Sequence, residues 1–126
     1  MTPQLILIAG PYRSGTQGDS ERIALNLKRL EATALRVYQR GHMPMIGEWV
    51  ALPLAATAGS EAIGDAISEA FLYPVASRLI EQCDAVFRIE GESRGADEDV
   101  RLAGELGKPV YWSLIDIPTA DSFLRS

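Results

Sequence analysis

The stretch QLILIA at residues 4–9 is a continuous apolar run closed by Gly10-Pro11, the pattern of a strand buried on both faces. Such a strand needs helices above and below it, which points to a parallel sheet. In residues 19–40 the apolar side chains Ile23, Leu27, Leu30, Ala34 and Val37 recur at helical spacing, with Asp19 or Ser20 placed to cap and Gly41 placed to stop. Residues 42–46 (HMPMI) read as a short second strand in which Pro44 requires a sheet edge or a strand end. Residues 47–60 (GEWVALPLAATAGS) have no clean period and read as a loop with at most a short helix, of the length that often serves as a lid or contact surface.

A second helical region spans 61–82, broken near Pro74, with Val75, Leu79 and Ile80 packing in its last turns. A third strand follows at 84–89 (DAVFRI), a helix at 96–106 and a fourth strand at 109–114 (PVYWSL). Strands alternating with helices predict an α/β fold joined by right-handed crossovers. The expected architecture is a single-domain, three-layer, doubly wound (flavodoxin- or Rossmann-like) parallel sheet of four to five strands spanning residues 1–126.

A chain of 126 residues buries one core of ordinary size, so one site is expected. The net charge of −5 argues against a general electrostatic nucleic-acid binder, although local basic residues can still hold one phosphate. Cys83 is the only cysteine, which excludes an internal disulfide and a multi-cysteine metal site and fits a reducing compartment. No apolar run reaches membrane-spanning length, and the start MTPQLILIAGPYRSG lacks the flank and core of a signal peptide. The expectations are a cytoplasmic location, no membrane partner, no metal and no cofactor.

In sheets of this kind ligands bind beyond the carboxyl ends of the strands, near the switch in strand order. Three segments lie there: 10–18, 90–99 and the stretch from Gly47. The first, GPYRSGTQG, can offer backbone N–H groups and the Arg13 guanidinium to an anion, or be an ordinary turn with a solvated arginine. It matches neither the Walker A pattern nor G-x-G-x-x-G. In the second, Asp99, Leu102, Ala103 and Leu106 fall on one helical face, so Asp99 points inward. Glu98 shares a side with Arg101 and Glu105, and Asp97 stands at the helix start. A carboxylate on a packed face must be paired or face a cavity. Asp99 either accepts first-turn N–H bonds or attacks a substrate, kept ionised by the helix dipole.

Three motifs carry a family resemblance: "IAGPYRSG", "CDAVFRI" and "SRGADEDVRLAGELGKPV". On these the chain resembles the nucleoside 2-deoxyribosyltransferase superfamily, including its nucleoside 5′-monophosphate N-glycosidase branch and small uncharacterised bacterial relatives. In that family the nucleophilic carboxylate stands nine residues before the lysine of a Gly-Lys-Pro-Val-like turn, a position occupied here by Asp99. In the monophosphate branch a serine six residues before the nucleophile holds the 5′-phosphate together with the first loop. Ser93, with Gly95 beside it, and Arg13, Ser14 and Gly15 match those places. The resemblance implies a nucleotide or nucleoside substrate, a double displacement through a glycosyl ester on Asp99 with retained configuration, no metal, and a homodimer or higher oligomer.

The chain departs from the family twice. Its carboxylate is aspartate where glutamate is usual, shorter by one methylene, and near-attack distances are only ~3–3.5 Å. The helix before the third strand usually supplies another aspartate, but that spacing holds Ala76 and Ser77, leaving Asp65, Glu69 and Glu92 as candidates elsewhere.

Other residues admit two readings. Tyr12 either packs at the strand end or touches the sugar, and Arg88, inside an apolar strand, either meets the ligand or pairs with a carboxylate such as Glu48. His42 reads as structural and Trp112 as core. Met43, Met45, Trp49 and Val50 form either an apolar wall for a base or a subunit contact. Function therefore stands between N-glycosidic bond cleavage or transfer, a non-catalytic nucleotide-binding or sensing module, and a plain interaction domain.

Overall fold

The computed structural model describes residues 2–120. In chain order it contains β1 (Leu5–Ala9), α1 (Ser20–Gln39), β2 (Met43–Ile46), α2 (Gly47–Thr57), α3 (Ala66–Gln82), β3 (Ala85–Arg88), α4 (Arg94–Glu105) and β4 (Val110–Tyr111), then a short 3-10 turn. The strands form one parallel sheet in the order β2-β1-β3-β4. Ile6 is in register with Pro44 on one side and with Ala85 on the other.

The central place of β1 explains its lack of alternation. Ile6 and Ile8 pack on one face with Ile23, Leu30, Ala34 and Val37 of α1, whereas Leu7 and Ala9 pack on the other with Ile80 of α3 and Ala96 and Ala103 of α4. Burying a full aliphatic side chain stabilises by about 1.5–3 kcal/mol, so β1 alone ties both layers to the sheet. The result is a three-layer Rossmann-like α/β fold. Pro44 sits in the edge strand β2, where a missing donor is tolerated.

Local signals set the helix starts. The Asp19 carboxylate caps α1 by accepting from the Glu21 N–H at 3.2 Å. Asp65 caps α3, accepting from the N–H groups of Ser68 and Glu61 at 2.8 and 2.9 Å. Ser93 caps α4. At the far end of α3, the Lys108 ammonium donates to the carbonyls of Ile80, Glu81 and Cys83 at 2.7–2.8 Å, satisfying acceptors that the helix end leaves open. The lysine of the Gly-Lys-Pro-Val turn thus serves the frame. His42 is also structural: its Nδ1 accepts from the Gln4 N–H at 2.9 Å and its Nε2 bonds the Pro118 carbonyl.

Several expectations are corrected. Residues 47–57 form the helix α2, not a loop; it is apolar on most sides, so it has no period to read, yet Ala51 and Ala55 bury one line of it. The helix expected over 61–82 begins only at Ala66 and runs through Pro74 without a break in its assignment. The fourth strand is only two residues long, and Trp112 beyond it is 55% exposed, not core. Leu106 ends the inward stripe of α4 in solvent. Among the described residues no helix is long and apolar enough to cross a membrane.

Candidate active site

The chain leaves β1 toward one side of the sheet and β3 toward the other, so the strand order reverses between them. A crevice is expected at the carboxyl ends of such a pair. A cavity of about 280 Å³ lies there, lined by the loop after β1, the starts of α2 and α4, and one side of α3. That volume is at the lower limit of the range usual for small-ligand sites.

The loop after β1 comes close to the end of β3. A Cβ on Gly10 would stand 2.9 Å from that of Ile89 and 3.2 Å from Leu30 Cδ2, so only glycine allows the approach. Beyond it the Thr16 hydroxyl donates to the Arg13 carbonyl at 2.6 Å, and Asn26 of α1 donates to the Tyr12 carbonyl at 2.8 Å. These bonds fix the main chain that presents Tyr12, Arg13 and Ser14 to the cavity. Gly15 does not line it and is exposed. The Arg13 guanidinium pairs with Glu69 of α3 and lies against Gly64, where a Cβ would come within 2.8 Å of it. An anionic ligand must therefore share Arg13 with Glu69. The Tyr12 hydroxyl is buried with no hydrogen-bond partner among the described residues.

On the opposite wall, the Ser93 hydroxyl oxygen accepts from the Ala96 N–H at 3.1 Å and keeps its own proton free to donate. Gly95 lies on the cavity in the first turn of α4, whose positive dipole end favours an anion. Ser14, Ser93, Gly95 and Arg13 thus all line this cavity with groups that tolerate an anion.

Asp99 faces the same cavity from the second turn of α4. Burial, then the neighbouring charges of Glu48 and Glu98, push its carboxyl up to about 7, with Arg88 opposing. The helix dipole, expected to favour the ionised form, acts mainly on the first turn, and at Asp99 it is opposed by desolvation. Asp97 and Glu98 turn elsewhere. Asp97 is 70% exposed and meets the Arg88 guanidinium at 2.8 Å. Glu98 binds Arg101 and accepts from the Tyr73 hydroxyl at 2.8 Å, bonds that hold its carboxyl well below the usual range.

Arg88 does not line the cavity and does not pair with Glu48. Its side chain is buried and donates to the carbonyls of Ile89 and Gly91 as well as to Asp97, bracing the turn that leads to Ser93. Met43, Met45, Trp49 and Val50 also stay off the cavity; Met43 and Trp49 instead share a shallow outer groove with Leu35 and Tyr38. They make no wall for a base in this cavity.

Glu48, weighed in the sequence only as a partner for Arg88, lines the cavity from the start of α2. Burial pushes its carboxyl up, with its own backbone N–H opposing, and it pairs with no cation among the described residues. The signal for it was its place two residues past the carboxyl end of β2. Among the described residues no cluster of His, Cys, Asp and Glu could hold a metal ion.

The site accordingly combines two desolvated carboxyl groups, a buried phenol and an end suited to an anion, a set equipped for acid–base and nucleophilic work on a small ligand. In comparison with known proteins, no family model and no curated protein matches the chain.

Proposed function

We propose that the protein cleaves or transfers the N-glycosidic bond of a nucleoside 5′-monophosphate or nucleoside, with Asp99 as nucleophile. The observation that carries this reading is the position of Asp99: an inward carboxyl with no ion-pair partner among the described residues, in the same cavity as the Arg13 loop, Ser93 and Gly95. In the reading, the phosphate lies at the Ser14–Gly95 end and draws Arg13 from Glu69. The ionised Asp99 then attacks C1′ as the base departs, and water or a second base resolves the glycosyl ester with retention. No metal or cofactor takes part.

The test is to incubate the protein with a panel of nucleosides and 5′-monophosphates and follow free base. Release above an Asp99→Ala control supports the reading, and its absence across the panel refutes it. The high position of the Asp99 carboxyl favours a second reading, a nucleotide-binding or sensing module that has lost turnover. That reading gives saturable calorimetric binding, sensitive to Arg13→Ala more than to Asp99→Ala, with no base released.

A homodimer belongs to the same proposal. Trp49, Leu54, Ile63, Ile67 and Tyr73 leave apolar surface exposed on and between α2 and α3, and light scattering on the purified protein tests whether two copies associate.

A further inference from the structure

The attack on C1′ is only half of the chemistry, because a base leaving as an anion is a poor leaving group unless it receives a proton. The surroundings of the carboxyl groups near the cavity decide which of them can give that proton. Ala76 lines the cavity, at the spacing where the resembled family carries an aspartate, and it has no proton to give. Asp65 accepts from the Ser60 hydroxyl and the N–H groups of Glu61, Ala62 and Ser68, so its oxygens are committed to the cap of α3, and it stays off the cavity. Glu69 reaches the cavity but is paired with Arg13. Glu92 is exposed and does not line it. Glu48 alone of these lines the cavity, is half-buried, and meets no cation among the described residues.

Resting on the glycosidase reading, we infer that Glu48 is the catalytic acid, delivering its proton to the departing base while Asp99 attacks from another element of the same cavity. In the first half-reaction an Asp99 oxygen bonds to C1′, the C1′–N bond breaks with its electron pair going to the base, and the Glu48 proton passes to a ring nitrogen or carbonyl oxygen of that base. Glu48 is left as the carboxylate. In the second half-reaction it takes a proton from water as the water oxygen bonds to C1′ and the ester to Asp99 breaks. One base and one sugar are released, and both carboxyl groups return to their starting forms. The desolvation that favours the neutral form of Glu48 suits it to carry a proton, and the pair shares the division of labour of other two-carboxylate glycosidases.

The experiment compares neutral purine 2′-deoxynucleosides and their 5′-monophosphates with the N7-methylated counterparts, whose cationic base departs without an added proton. With Glu48→Gln, release from the neutral substrates falls on the order of 10²–10⁴-fold, whereas release from the methylated ones falls less than about tenfold. Glu48→Ala supplied with formate recovers part of the loss on neutral substrates. Equal losses on both substrate sets, or no loss on either, overturn the role of Glu48 while wild-type turnover leaves the glycosidase reading intact. If the wild type releases no base from either set above Asp99→Ala, the glycosidase reading falls and the role of Glu48 falls with it.

Discussion

Asp97 and Asp99 stand two residues apart on α4, and their surroundings give them opposite characters. Asp97 lies mostly in solvent and holds the Arg88 guanidinium at 2.8 Å. Asp99 turns inward, faces Glu48 across a common cavity and has its carboxyl raised to about 7. A shift of two positions rotates a side chain about 200° around a helix, enough to change an exposed brace into a desolvated acid. Helical phase and the neighbours it selects decide the role; residue type alone does not.

The largest test of this contrast is catalytic. Under the proposed function, Asp99→Asn lowers base release on the order of 10⁴-fold, while Asp97→Asn changes it by no more than a few-fold. Comparable losses in both would erase the distinction. In the wild type, kcat/KM rises as pH approaches about 7 and Asp99 ionises, and an acid limb near 4 would show that the free enzyme does not hold the carboxyl high.

Stability gives the next effect, with a definite sign. The folded-state value of Asp99 lies above the unfolded carboxylate range near 4. Its contribution therefore favours folding fully below that range and is lost as pH climbs through about 7. Urea titrations at pH 4 and pH 8 are expected to show Asp99→Asn gaining about 2–4 kcal/mol relative to wild type at the higher pH. Asp97→Asn shows no such gain. Arg88→Met comes third, costing about 1–3 kcal/mol by the same measurement because two turn carbonyls lose their donor. Asp97→Asn is the smallest, at less than about 1 kcal/mol for so exposed a pair.

Most of the fold was legible because its signals are local. The unbroken apolar run placed β1 in the middle of a sheet, the period of Ile23, Leu30, Ala34 and Val37 gave α1, and the same logic turned Asp99 inward. The helix α2 escaped because it packs alanines on one side and leaves Trp49 and Leu54 in solvent on others, which erases the periodic contrast. Missing that helix also hid Glu48, whose meeting with Asp99 joins residues 51 positions apart and depends on the sheet order. Arg88 does pair with a carboxylate, one of its two readings, but the partner is Asp97 of the next helix and not Glu48. Trp112 was misjudged because the sheet ends before it reaches cover.

The partnerless Tyr12 hydroxyl has a consequence for how this site can vary. A buried donor without an acceptor costs the folded state about 1–3 kcal/mol, so Tyr12→Phe is expected to raise the melting temperature of the free protein. The same change removes a polar atom from a residue of the cavity wall, and under the proposed function weaker ligand binding in calorimetry is the expected companion. Random drift toward robustness would readily discard such a tyrosine; only selection acting through a ligand would keep it.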